Sequence, residues 1–97
     1  MSDPVVLFVR FRPKPEHRQA AREAFEAVVP LSRGESGCRE YVLHIDREAE
    51  GDLCLYEVWD NHEALKSHFA QPYTSALSQQ LAGWLAEPPA TTKLTRL

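Results

Sequence analysis

The chain has 97 residues, of which 43% are hydrophobic and 26% are charged. This composition is typical of a globular protein with one core, so we expect a single domain over residues 1–97. The N-terminal apolar run is short and flanked by charges, which predicts neither a signal peptide nor a membrane span and favours a cytoplasmic protein. The net charge of -3 argues against a general nucleic-acid binder, because such proteins depend on clustered lysine and arginine.

The N-terminal part of the chain predicts a strand followed by a long helix. Residues Val5 to Arg12 are rich in β-branched and aromatic side chains, as expected of a strand. Pro15 then opens a stretch in which apolar residues recur at helical spacing. The helix is expected to weaken at Pro30 and to end before Gly34.

The remainder of the chain predicts a hairpin, a pair of helices and a last strand. Cys38 to Asp46 and Leu53 to Asp60 are strand-like runs, and the polar residues 47–52 between them predict a turn. Pro72 divides the helical stretch that follows into two pieces. Ala90 to Leu97 fit a final strand, although their pattern is the weakest in the chain.

This order of elements indicates the fold. Strand, helix, two strands, a helix pair and a strand form the split βαβ arrangement of a ferredoxin-like α+β domain, with a mostly antiparallel sheet and helices on one face. Both faces of the sheet are apolar, since Val6 and Phe8 on the first strand and Tyr56 and Val58 on the third oppose the expected core residues. We therefore expect a second subunit to cover the helix-free face, which predicts a homodimer.

Three ionisable residues interrupt apolar segments, namely His44, Glu57 and His68. A buried carboxylate is costly unless it is paired, so we expect these three side chains to form a catalytic cluster between the sheet and the helices. His68 is assigned as the proton acceptor, with His44 and Glu57 orienting it, and the reverse assignment of the two histidines fits the sequence equally well. The hairpin register decides whether His44 and Glu57 share a face. A lone histidine is also common as a structural residue, and Glu57 at the sheet edge is the simpler alternative.

Aromatic residues are candidates for the walls of a small-molecule pocket beside this cluster. Two histidines and one glutamate also match the ligands of a non-haem iron site, but they are scattered along the chain, so no metal is predicted. The candidates for substrate binding are Phe25, Trp59, Phe69 and Tyr73.

Four short motifs resemble those of the antibiotic biosynthesis monooxygenase (ABM) domain family, including its quinol monooxygenase-like members. They are ESGC before the second strand, Y-x-L-H within it, Y-E-x-W in the third strand and A-L-x-x-H in the helix that follows. The resemblance implies a dimeric α+β barrel, and an oxidoreductase that oxygenates a quinol or polycyclic phenol with O2 and no cofactor. It also implies that His44, Glu57 and His68 line the pocket.

Other functions on this scaffold stay open at this point. Some relatives degrade haem with an asparagine on the first strand and a helix histidine, but the first strand here has no asparagine and the region near Leu77 and Ser78 has no histidine. A non-catalytic module that binds an aromatic metabolite is one alternative, and an isomerase or cyclase is another, because fold alone does not determine function.

Overall fold

A computed structural model of the chain describes residues 3–49 and 51–97. The predicted turn at 47–52 and the predicted domain at 1–97 therefore each include residues that lie outside the described part. A short 3₁₀ turn at Pro15–His17 precedes the first helix. The strands are β1 (Val5–Phe11), β2 (Cys38–Ile45), β3 (Leu53–Trp59) and β4 (Ala90–Leu94), and the helices are α1 (Arg18–Arg33), α2 (His62–Phe69) and α3 (Pro72–Trp84).

The four strands form one sheet in the order β2-β3-β1-β4, and every neighbouring pair is antiparallel. The helices lie on one face of it, so the predicted ferredoxin-like α+β fold is confirmed. The pairing places Leu7 of β1 opposite Glu57 of β3, which in turn lies opposite Tyr41 of β2. These three residues consequently share the face that meets the helices.

Helix α1 covers the sheet with a stripe of buried residues at Ala21, Phe25 and Val28, which recur at the spacing of one helical face. Phe25 meets Phe11 of β1 with a centroid distance of 4.7 Å. Burying such aromatic rings contributes about 1.5–3 kcal/mol each. The helix continues through Pro30 to Arg33 and ends before Gly34, as predicted for its end.

Helix α2 begins differently from what its sequence suggests. Asp60 followed by Glu63 resembles a capping box, yet the side chain of Asn61 accepts the hydrogen bond from the backbone N–H of Ala64 at 2.9 Å. Asp60 instead pairs with Arg39 at 2.6 Å. The helix therefore starts one residue later than a cap at Asp60 would place it.

Helix α3 is fixed to the rest of the chain at both ends. At its first turn the Tyr73 hydroxyl lies against the carbonyl oxygen of Leu31, 3.2 Å away. At its last turn the Trp84 carbonyl accepts from the N–H of Lys14 at 2.8 Å. Between these ends, Leu77 and Leu81 are its buried residues.

The helix-free face of the sheet carries a row of half-buried apolar side chains. Val42, Tyr56 and Phe8 lie side by side across β2, β3 and β1. This face is therefore apolar at its centre, as the sequence indicates. Within the described residues, no helix is both long and apolar enough to cross a membrane.

Candidate functional site

A chamber of about 650 Å³ lies between the sheet and helix α3. Its walls are mainly apolar, and its polar side chains are few, which is the character of a small-molecule site. Ser75 and Ser78 of α3 contribute hydroxyls, while Glu57 and His68 contribute a carboxyl group and an imidazole. The apolar walls include Leu7, Val9, Phe11, Phe25, Leu77 and Leu81.

Glu57 lies on β3 with its side chain toward the helices, because it faces Leu7 and Tyr41 in the sheet register. It is only 6% exposed. One carboxylate oxygen, Oε1, accepts a hydrogen bond of 3.0 Å from the indole N–H of Trp59. Trp59 follows two residues later on the same strand, so the strand's alternation brings the two side chains to one face. Burial raises the pKa of Glu57, and the Trp59 hydrogen bond and the nearby His68 offset this only in part.

His68 is the buried residue of α2, with 3% of its surface exposed. Its ring packs on the indole of Trp59 at a centroid distance of 4.5 Å and an interplanar angle of 34°. The Tyr41 ring lies 5.5 Å away on another side. Aromatic contacts of this kind hold the imidazole in one orientation beside the chamber.

Glu35 is the residue that sequence reasoning missed. It lies in the loop between α1 and β2, and its Oε2 is 2.8 Å from Nδ1 of His68. The Tyr73 hydroxyl also donates to this oxygen. Burial, followed by the bond to Glu35, raises the pKa of Tyr73 to about 12, so the hydroxyl keeps its proton and acts as a donor.

The loop that carries Glu35 fits closely against α2. A Cβ atom at Gly37 would stand 2.3 Å from the Cβ of Ala64, so only glycine allows this approach. The Gly37 carbonyl accepts from the N–H of Asp60 at 2.9 Å, which ties the loop to the end of β3. The glycine of the ESGC motif thus has a structural role, because it lets the loop approach α2 and so brings Glu35 within hydrogen-bond distance of His68.

His44 lies outside this cluster. It pairs with Cys54 in the hairpin, three residues from the Tyr41–Glu57 pair, so the alternation of the strands turns it to the helix-free face. Its side chain is exposed there. The predicted grouping of all three ionisable residues is therefore wrong for His44, and the structure brings together Glu57 and His68 alone.

The four aromatic candidates divide into two pairs. Phe25 and Phe69 line the chamber, and Phe69 is 60% exposed at its opening. Trp59 and Tyr73 lie behind the polar end instead, where they hold Glu57 and Glu35 by hydrogen bonds. Among the described residues, no group of three or more His, Cys, Asp or Glu side chains is arranged to hold a metal ion.

The sequence profile of the family described as "Antibiotic biosynthesis monooxygenase" matches residues 4–80, which is most of the chain. The chain belongs to this family. The resemblance read from the four motifs is thereby confirmed, and it carries a monooxygenase-like function at the level of the family.

Two relatives show how far the likeness extends. The chain is 34% identical to "Putative monooxygenase Rv0793" of Mycobacterium tuberculosis, over 100% of this chain and 95% of that protein. It is 29% identical to "Probable quinol monooxygenase YgiN" of Escherichia coli K12, over 86% of this chain and 88% of that protein.

Solved structures agree with these relationships. The structure of Rv0793 superimposes with a TM-score of 0.92 over 98% of this chain and 96% of that one, at 34% identity. The crystal structure of PA3566 from Pseudomonas aeruginosa gives 0.93 over 100% and 97% of the two chains, at 30% identity. The fold of the whole described chain is therefore that of the family.

Proposed function

We propose that the protein is a monooxygenase that oxidises a quinol or polycyclic phenol with O2 and uses no flavin, haem or metal ion. The observation that carries this proposal is that a buried carboxyl group and a buried imidazole, Glu57 and His68, line a mainly apolar chamber. Membership of the ABM family supports it, as does the name of the quinol monooxygenase relative.

The reaction balances without an added reductant. A quinol supplies four electrons to one O2, so that one oxygen atom enters the ring, the other leaves as water and the product is a hydroxyquinone. The first step removes a hydroxyl proton, which makes the ring a better electron donor to O2. The mainly apolar walls of the chamber then keep the resulting radical pair together until the C–O bond forms.

His68 is the base in this scheme. Nδ1 is already bonded to Glu35, which leaves Nε2 as the ring nitrogen for a substrate hydroxyl. Burial favours the protonated form of Glu57, and a neutral carboxyl donates a hydrogen bond to a substrate oxygen. One end of the substrate thus meets a proton acceptor and a proton donor, while its rings lie among the apolar walls.

The test is oxygen uptake by metal-stripped protein with a panel of benzoquinols, naphthoquinols and hydroxynaphthalenes. His68→Gln should lower kcat by about 10²- to 10⁴-fold, the usual contribution of a general base. His62→Gln is the matched control, because His62 is exposed on the same helix. His44→Gln should also keep its activity, and a large loss there with full activity in His68→Gln would reverse the assignment.

Two other outcomes would replace the proposal. If a quinol raises the melting temperature but no oxygen is consumed, the protein is a binding module. If product forms equally fast without O2, the protein is an isomerase or cyclase that uses the same base. Oxygen uptake that is unchanged by His68→Gln would leave the monooxygenase reaction in place and remove His68 from it.

We further propose that two copies form a homodimer through the helix-free face. The support is the row of Val42, Tyr56 and Phe8, since apolar side chains at the centre of an open face favour an isologous contact. Light scattering after size exclusion should give twice the chain mass of 11.0 kDa. Phe8→Asp should give the single-chain mass, and a monomeric wild type would contradict the proposal.

A further inference from the structure

We infer that Glu35 is a positioning residue, which holds His68 with its proton on Nδ1 and so presents the lone pair of Nε2 to the chamber. This inference rests on the proposed role of His68 as the base. The carboxylate and the imidazole are 2.8 Å apart, within the range of a charge-assisted hydrogen bond.

In the inferred arrangement Glu35 is the acceptor for two donors. The Tyr73 hydroxyl donates to the same oxygen, Oε2. In this arrangement the ring nitrogen that faces Glu35 is the second donor, because a carboxylate accepts hydrogen bonds and does not donate them. A neutral imidazole has one N–H, and placing it on Nδ1 leaves Nε2 as the acceptor.

Glu35 lies on the wet side of His68, away from the chamber. It lines a polar groove of about 490 Å³ whose walls include Gly37, Asn61 and Ser67, whereas His68 lines the apolar chamber. The Glu35 side chain, 12% exposed, therefore borders the polar groove while it bonds a ring that borders the apolar chamber.

The surroundings of the two side chains make the arrangement rigid. The close approach of Gly37 to Ala64 fixes the loop, and the contact of His68 with Trp59 fixes the ring. Neither partner needs to reorganise when a substrate enters, which is the property that makes an orienting group effective.

The first measurement is the protonation state of the His68 ring by long-range proton–nitrogen NMR, on free protein near pH 8. Wild type should carry its proton on Nδ1. Glu35→Leu removes the acceptor and should abolish that preference, while Glu35→Gln, which keeps an acceptor, should restore it in part. Glu63→Leu makes the same exchange at an exposed position of α2 and should leave the His68 signals unchanged.

The second measurement is steady-state turnover of the quinol that the oxygen-uptake panel identifies as the best substrate. Glu35→Leu should lower kcat by about 10- to 100-fold, as removal of an orienting partner does at other imidazole sites. KM should stay nearly constant, because Glu35 is not part of the chamber wall.

The two measurements separate the two proposals. A wild-type ring protonated on Nε2, or the same tautomer in wild type and Glu35→Leu, overturns the role of Glu35 even if the enzyme turns over quinols. An Nδ1 proton that depends on Glu35, in a protein that consumes no oxygen, upholds the positioning and rejects the proposed reaction. Tyr73→Phe keeps the carboxylate and should keep the wild-type tautomer, which shows that the effect comes from Glu35 itself.

Discussion

Two buried carboxylates stand near opposite ends of β3, and their surroundings differ sharply. Asp52, immediately before the strand, is 2% exposed, and Glu57 within it is 6% exposed. Asp52 receives both arms of the Arg12 guanidinium at 2.9 Å and an Arg10 nitrogen at 2.9 Å. Glu57 receives a single neutral indole N–H.

Because of this difference, folding lowers the pKa of Asp52 and raises the pKa of Glu57. The hydrogen bond from Arg12 holds the pKa of Asp52 below its ordinary value, whereas burial raises the pKa of Glu57 above its own. Burial alone therefore does not define a functional carboxylate. A carboxylate that is fully paired with cations stabilises the fold, whereas one without a cationic partner can still take part in proton transfer.

Breaking the Asp52 network should give the largest stability change of the three substitutions that follow. Asp52→Asn removes the negative charge that the two guanidinium groups share and leaves one neutral acceptor oxygen. We expect the free energy of unfolding to fall by about 2 kcal/mol, a figure kept low because both arginines reach solvent. Since the pKa of Asp52 is lowered by folding, the stabilisation is present above its ordinary pKa and is lost as pH falls. Urea titrations near pH 8 and pH 3 should show the deficit shrinking in acid, and a deficit independent of pH would contradict this explanation.

Glu57→Gln should raise the free energy of unfolding, by a smaller amount than Asp52→Asn lowers it. Because the pKa of Glu57 is raised by folding, ionising it costs stability as pH rises from its ordinary value of 4.5. Glutamine keeps the acceptor for Trp59 and cannot ionise. The variant should thus match wild type near pH 4 and become the more stable protein near pH 8, as measured by urea unfolding at both values. If Glu57→Gln instead becomes less stable than wild type on going from pH 4 to pH 8, Glu57 is paired with a cation in solution.

Glu87→Gln should have the smallest effect. Glu87 bonds Arg12 at 3.0 Å at the rim of the same network, but both side chains are about half exposed. Solvent screens such pairs, so the urea midpoint should stay within experimental error of wild type. A loss as large as that of Asp52→Asn would mean that the rim pair, rather than the buried carboxylate, carries the stability of this region.

The sequence predicted the fold well because the spacing of apolar residues is a strong indicator. The runs of β-branched and aromatic residues and the helical stripe at Ala21, Phe25 and Val28 place the elements close to their observed bounds. Glu57 and His68 were identified because each interrupts an apolar run. His44 interrupts one in the same way, yet it lies on the other face, because parity along a strand is fixed only when the pairing register is known.

Other residues of the site do not interrupt an apolar run, so the sequence pattern does not single them out. Glu35 lies in a polar loop, where an acidic residue is ordinary, and only the contact between Gly37 and Ala64 reveals why it meets His68. Arg10 and Arg12 likewise carry no sequence signal of a partner, and only the structure shows that both pair with Asp52.

Helix α3 covers the chamber and is held at both ends, by the contact of Tyr73 with Leu31 at its first turn and by the hydrogen bond of Lys14 to Trp84 at its last turn. These two attachments oppose an outward swing of the whole helix. We therefore expect a guest to enter by rotation of individual side chains, with the exposed ring of Phe69 as the part best placed to turn aside.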